Sequence, residues 1–553
     1  MRVVLLRPPR YVWPFNSETS AFWQPLGLLS LAGAVRRDLP EVQVEVWDAP
    51  AERCGWRTLA QRVAAAPIDV LGIGEETVSA AQALRAAALV RQCHPRCIVV
   101  AGGPYFPYTA EATLAGGLVD VIVRGDGEVT FVELLRHLHD RARWATISGL
   151  VFPEHLRTQN SGIRTQPAAS SPSRSRFVRG SAPLRSRLVM ETGRSVLTPP
   201  RPLIDDLDSL PFPAHDMLDQ WLYGRRSRNH PDLVSIEHSR GCIDSCSFCI
   251  LWKHMGESVN GNGRVRPRWR TKSAERSFDE VNWLYRRFGR RTFGWVDPTF
   301  NASPDWSDAW AERVLASDLV GPRGHARTLH TAWMRADGVV RDESLGIIEK
   351  LVRAGLRQVM IGVERDDRAG LTALRKHNND QGTCRKAFAI FRERYPQVYT
   401  IGTVIFGLPG DTMEDLHRLA DLQYDMGMDY CFIMPLTPNP GTATAAQAAS
   451  EGRIANPDPG SYNFHTPVCT TDTLGLRQLE SIYWRIMVKP SRRRVVETLR
   501  QAVLAPDRRK RRVHRSLLRR GAVIALRSLA RSVLCPRGQH PALYWRKPSW
   551  YDR

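Results

Sequence analysis

The chain has 553 residues, 43% of them hydrophobic, with a mean hydropathy of −0.32 and ten cysteines. At roughly 100–200 residues per domain this predicts about three globular domains; ten cysteines in so long a chain exclude a disulfide framework, and the lack of any apolar run of about 18 residues excludes a membrane-spanning helix. The net charge of +22 and pI of about 10.0 leave two readings, an anionic partner or arginine-rich solvated faces.

The opening "MRVVLLRPPR" lacks a signal-peptide core, so export is not expected and the location is read as cytoplasmic. Residues 1–150 then alternate short apolar runs with helical stretches. Strands are expected at 2–9, 41–49, 68–74, 97–104 and 119–125, and helices at 25–39, 58–66, 79–93 and 130–140. Such alternation predicts a doubly wound, Rossmann-like parallel α/β sheet. Ligands of such sheets sit beyond the carboxyl ends of the strands. Those ends carry Asp48-Ala49-Pro50, Gly72-Ile73-Gly74, Gly102-Gly103-Pro104 and Gly125-Asp126-Gly127-Glu128. Glycines there let the backbone approach a large ligand closely. No GxGxxG fingerprint occurs, which speaks against nicotinamide and flavin dinucleotides.

Residues 151–233 read as a linker and connector, partly disordered. The stretch 156–186 is rich in Ser, Arg, Pro and Gly with little periodicity, and "LIDDLDSLPFPAHDML" (203–218) looks ordered. From 234 to 445 a second α/β alternation appears. Strands are expected at 233–239, 292–300, 328–336, 358–364, 399–409 and 430–438, with helices at 277–289, 306–317, 342–355, 384–395 and 414–427. Repeated βα units of this length predict a full or partial TIM-type barrel, with Asp297, Arg335, Glu364 and the Gly407–Gly410 turn at one mouth. Residues 446–553 read as a basic, mainly helical region, with one or two amphipathic helices within 490–532.

The chemical signal is "RGCIDSCSFC" (240–249), which sets Cys242, Cys246 and Cys249 on one loop after the first barrel strand. Three thiolates with no fourth nearby suit a [4Fe–4S] cube, whose remaining iron is free to bind a chelating molecule. His238 or His254 completing a Cys3His zinc site is the alternative.

Cys-x3-Cys-x2-Cys with Phe248 before the last cysteine resembles the radical S-adenosylmethionine (SAM) superfamily. Four later segments are similar to that family's: "FGWVDPTF" (293–300), "IGVERDD" (361–367), "VIFGLPGDT" (404–412) and "PLTPNPGTA" (435–443). The "AGGP" and "GDGEVTF" strand ends and the "LPFPAHD" connector extend the resemblance to its cobalamin-binding branch. The resemblance implies a cluster on the three cysteines, with SAM on the open iron and reductive cleavage to a 5′-deoxyadenosyl radical. Phe248, Glu364, Gly407 and Gly410 are then SAM contacts, and Asp297 and Arg335 catalytic residues of the mouth. Gly74, Thr77, Gly102, Gly103, Gly125, Gly127 and Glu128 would hold cobalamin, used as methylcobalamin. No Asp-x-His-x-x-Gly occurs, and "DAPAERCGW" has no histidine, so the lower cobalt face should lack one.

The implied activity is methyl transfer from SAM through cobalamin to an unactivated carbon or a phosphinate phosphorus of a small, anionic natural-product intermediate. Arg335, His254, Lys253 and Arg270 are the candidates to hold that anion. The expected partners are this substrate and a flavodoxin- or ferredoxin-type electron donor, with no membrane span and nucleic acid disfavoured. Competing readings are a porphyrin-type radical cyclase, an RNA-modifying or nucleic-acid-binding protein, and a non-catalytic metalloprotein.

Overall fold

A computed structural model describes residues 1–10, 23–74, 76–157, 194–224, 232–259, 263–322, 324–376, 379–419, 421–488, 492–505, 507–519, 522 and 549–553. The segment read as disordered linker and most of 520–548 therefore lie outside the described residues.

The amino-terminal sheet has seven strands: β1 (Arg2–Arg7), β2 (Gln43–Asp48), β3 (Val70–Gly74), β4 (Ile98–Gly102), β5 (Val121–Val123), β6 (Leu150–Pro153) and β7 (Ser195–Leu197). Their order is β2-β1-β3-β4-β5-β6-β7. The strands from β2 to β5 pair in parallel, and β6 and β7 add antiparallel. Alternation along β1 feeds two cores. Val3 and Leu5 pack with the helix Leu26–Asp38, and Val4 and Leu6 pack beneath the helices Trp56–Ala64 and Ala80–Cys93. The linker assignment for 151–233 needs correction here. β6 begins at its boundary and β7 lies inside it, because each three- or four-residue run is too short to show a period.

The second sheet comprises β8 (Leu233–Ile236), β9 (Thr292–Trp295), β10 (Leu329–Met334), β11 (Leu356–Glu364), β12 (Tyr399–Phe406) and β13 (Tyr430–Pro435). All pair in parallel in sequence order, so the structure is a six-stranded partial barrel. Its core lies between these strands and the outer helices and holds Trp295, Trp306, Trp310 and Phe300. The helix expected at 342–355 is two helices, Ala336–Ser344 and Ile347–Arg353, split where Gly346 turns left-handed at φ 73°.

The connector packs back on the first domain. Ala214 N–H donates to Leu29 O at 3.0 Å, and a Cβ on Gly33 would come within 2.7 Å of Phe212 O. Basic residues of the carboxyl-terminal region reach the amino ends of the barrel strands, where Lys510 pairs with Asp429 at 2.7 Å, just before β13. That is the end away from the cysteine loop. No helix among the described residues is long and apolar enough to cross a membrane.

Candidate active site

The cysteine loop leaves β8 through a two-residue ladder, Ser239–Arg240 against Arg270–Thr271. Gly241 then turns at φ 84°, and a Cβ there would lie 1.8 Å from Arg268 O. Only glycine fits this step into Cys242. Cys242 Sγ lies 3.4 Å from Thr299 Oγ1 and accepts the Asp244 amide at 3.4 Å; Cys249 N–H donates to Cys246 O at 3.2 Å. Burial pushes the Cys246 thiol up to about 12 and raises Cys249 as well. Iron would displace these protons on binding.

The donor set fits a cluster better than a single ion. Among the described residues no three His, Cys, Asp or Glu side chains converge as one metal ion requires, at metal–ligand distances of ~2.0–2.3 Å for zinc. The zinc alternative also lacks its fourth ligand. His238 is buried with both ring nitrogens near partners, Thr271 Oγ1 at 3.1 Å and Phe300 O at 3.2 Å, and stacks on Trp306 at 3.6 Å. His254 packs beside Tyr108, and burial holds it neutral, with its pKa lowered to about 4.

Asp297 does not open into the mouth as expected. It is 1% exposed, and its Oδ1 accepts the His238 amide at 2.9 Å, the Ser239 amide at 2.5 Å and the Ser239 hydroxyl at 2.8 Å. Oδ2 has no hydrogen-bond partner among the described residues. Burial outweighs these bonds and raises the carboxyl to about 7. Asp297 fastens the root of the cysteine loop.

Arg335 is likewise already engaged. It pairs bidentately with Asp337, at 3.0 and 2.7 Å, and with Asp244, which stands between Cys242 and Cys246. The other cations proposed to hold an anionic substrate have partners too. Lys253 Nζ donates to Gly441 O at 2.6 Å, Arg270 pairs with Asp126 at 2.5 Å, and His254 is neutral. Charged side chains at strand ends satisfy one another before they meet a ligand.

Glu364 ends β11 at φ 63°, 6% exposed. Its carboxylate receives Lys376 Nζ at 3.3 Å and Thr403 Oγ1 at 3.4 Å. Burial opposes the Lys376 charge, yet Glu364 and the Cys246 sulfur beside it hold the ammonium above its ordinary range. The sequence reading missed Lys376, since no spacing rule ties it to Glu364 or the cysteines. Phe248 packs against Leu374, Ile405, Leu408 and Leu436, an apolar wall beside the Gly407 turn. Asp411 shapes that turn by accepting the amides of Gly407 at 2.8 Å and Leu408 at 3.1 Å, and Arg365 holds Asp411 at 2.8 Å. A Cβ on Gly410 would meet nothing within 4 Å, so space lies open there.

The strand ends of the first domain face this mouth. Gly74 and Gly102 close β3 and β4, Gly103 and Gly125 have positive φ (79° and 73°), and Gly127 opens the helix Gly127–Arg136. Two residues expected at cobalamin instead join the domains. Thr77 Oγ1 donates to Asn439 at 2.9 Å, and Glu128 pairs with Arg240 at 2.7 Å. Gly441, at φ 89°, admits the Tyr108 ring, 2.3 Å from where a Cβ would stand. Asp48, at the end of β2, is held by Arg7 at 2.7 Å and by the Tyr223 hydroxyl, and the helix after it offers no histidine.

Two family models match: "Radical SAM superfamily" over residues 236–422 and "B12 binding domain" over 14–135. An uncharacterized methyltransferase of Pyrococcus horikoshii is 24% identical over 469 residues, covering 85% of this chain and 87% of the relative. An anaerobic magnesium-protoporphyrin IX monomethyl ester cyclase of Synechocystis is 25% identical over 472 residues, covering 84% and 80%. The radical SAM methyltransferase TsrM of Kitasatospora setae, solved with cobalamin and a [4Fe–4S] cluster, shares the fold with a TM-score of 0.61 at 17% identity over 95% of this chain and 100% of that one. The cysteine loop on a partial barrel and the glycine-edged sheet facing it thus have one common explanation: the chain joins a B12-binding domain to a radical SAM domain and is an enzyme whose cofactors are a [4Fe–4S] cluster, SAM and cobalamin.

Proposed function

We propose that the enzyme transfers a methyl group from SAM, by way of cobalamin, to an unactivated carbon or a phosphinate phosphorus of a small natural-product intermediate. The observation that carries this reading is the apposition of the glycine-edged strand ends of the first domain to the cysteine loop, with Gly441 letting Tyr108 close the two domains together. Its likeness to the Pyrococcus methyltransferase supports it. When bound, SAM at the cluster supplies the hydrogen-abstracting radical and cobalamin supplies the methyl group.

The chain's own residues bind and orient. Cys242, Cys246 and Cys249 ligate iron as thiolates. Glu364, with Lys376 at its side, offers a carboxylate to the ribose or amino group of SAM. Phe248 and Leu408 form the apolar wall against which the adenosine lies. Arg335 steadies the loop through Asp244, so an anionic substrate would need a different cation than the four expected. The setting is read as cytoplasmic, with a flavodoxin- or ferredoxin-type protein as the electron donor.

The likeness to the Synechocystis cyclase favours a second reading, oxidative ring closure on the same architecture. Methyl-labelled SAM separates them under strict anaerobiosis with the reconstituted enzyme and candidate substrates. A methylase yields labelled product together with S-adenosylhomocysteine and 5′-deoxyadenosine. Deoxyadenosine with substrate turnover but no labelled product would replace the methylase with the cyclase.

A further inference from the structure

One contact between the two domains is a buried ion network that ends two residues before the first cluster cysteine. Arg240 donates to Glu128 at 2.7 Å, to Glu237 at 2.7 and 2.9 Å, and approaches Asp126 at 3.5 Å. Arg270 takes Asp126 at 2.5 Å and Ile204 O at 2.8 Å. Asp126, Arg240 and Arg270 each keep less than 10% of their side chain exposed, as does Glu128.

Two features set this network apart from a chance surface pairing. Arg240 and Arg270 stand directly opposite each other in the short ladder, where like charges repel. The first domain adds the counter-charges of Asp126 and Glu128 to that of the barrel's own Glu237. Asp126 also occupies the N-cap of the helix Gly127–Arg136 yet makes no capping bond. An Asp there ordinarily accepts an amide of the first turn; this one reaches across to the barrel's arginines instead. A buried charge must be paired or be very unfavourable, so carboxylates of the other domain, together with Glu237, hold the ladder that leads into Gly241 and Cys242.

We propose that Asp126 and Glu128 are positioning residues that, through Arg240, fix the cluster loop against the cobalamin-binding domain and help set the reduction potential of the cluster. The inference rests on the cofactor reading above. Cluster potentials follow net charge and hydrogen bonding around the sulfurs, and charges in a dry interior act at long range. The two sides of the ion pair should therefore act with opposite sign.

The test uses the full chain, reconstituted with iron and sulfide without cobalamin, in a potentiometric titration read by electron paramagnetic resonance of the reduced cluster. Glu128→Gln removes a negative charge and should raise the midpoint potential. Arg240→Gln removes a positive charge and should lower it. The double variant should fall between them. Glu133→Gln on the same helix, whose carboxylate pairs with Arg201, should leave the potential and the signal unchanged. If Arg240→Gln assembles no cluster, Asp126→Asn takes its place and must shift in the same direction as Glu128→Gln. No shift, or shifts of one sign in both charge classes, would overturn the proposal while leaving the cofactor reading intact. A wild-type chain that binds no cluster would overturn both.

Discussion

Asp297 and Ser239 are 58 residues apart in the chain, yet a single carboxylate oxygen of Asp297 receives both the amide and the hydroxyl of Ser239. This contact ties the end of β9 to the exit of β8, three residues before Cys242. It makes Asp297 a fastener of the cysteine loop, and it carries a pH signature.

The Asp297 carboxyl is raised from its ordinary 3.8 to about 7, chiefly by burial. The sign follows from linkage. Below about pH 4 folded and unfolded chains both hold the proton, and the stabilising effect of the neutral acid is fully present. Between about pH 4 and 7 only the unfolded chain releases it, so stability falls by at most roughly 1.4 kcal/mol for each pH step of one. Asp297→Asn keeps the acceptor oxygen and removes the slope. The stability advantage of wild type over variant should therefore shrink from pH 5 to pH 8 in thermal melts; a difference constant with pH would refute the assignment.

Arg335→Gln should loosen the loop that carries Cys242 and Cys246, since it removes charged bonds to Asp244 and Asp337. Such bonds contribute about 1.5–3 kcal/mol each. Iron loss to a chelator should accelerate at least tenfold, with little change in substrate KM. Unchanged iron retention with a tenfold rise in KM would restore Arg335 to a substrate-holding role.

Replacing Cys242, Cys246 and Cys249 together with Ala should abolish iron binding and the absorption near 400 nm after reconstitution. Circular dichroism should stay close to wild type, because the loop contributes little to the barrel core. Persistence of the iron signal would move the cluster elsewhere.

The cobalt(II) form of the cobalamin-loaded enzyme should show no nitrogen splitting from a histidine in its paramagnetic resonance spectrum. The helix after β2, Ala49–Glu52, contains no histidine, and its N-cap Asp48 is held by Arg7 and Tyr223. A three-line nitrogen pattern from a protein imidazole would contradict this.

Much of the fold was written in local pattern. Alternating apolar strands and helices placed all six barrel strands within a few residues, since each is a run of buried aliphatics with turn residues at its end. The three cysteines needed only their spacing and their place after the first strand. β6 and β7 escaped notice because three or four residues carry no readable period. The break at Gly346 escaped too, because a glycine inside a helical pattern can continue the helix or end it.

The sequence by itself carried the chemical signal: three thiols on one loop, glycines at the strand ends, and no Asp-x-His-x-x-Gly motif. Only the tertiary structure decided what the charged side chains do. Arg335, Lys253, Arg270, Glu128 and Asp297 all lie in or near the segments that follow the strands, where a ligand contact was the natural expectation. Each instead satisfies a buried charge, amide or carbonyl from a segment distant in the chain or from the other domain. Lys376 became visible only when folding set it against Glu364, within the electrostatic reach of Cys246. The physical reason is that a strand's period is local, whereas the partner that neutralises a buried charge is chosen by which segments the fold brings within about 3 Å.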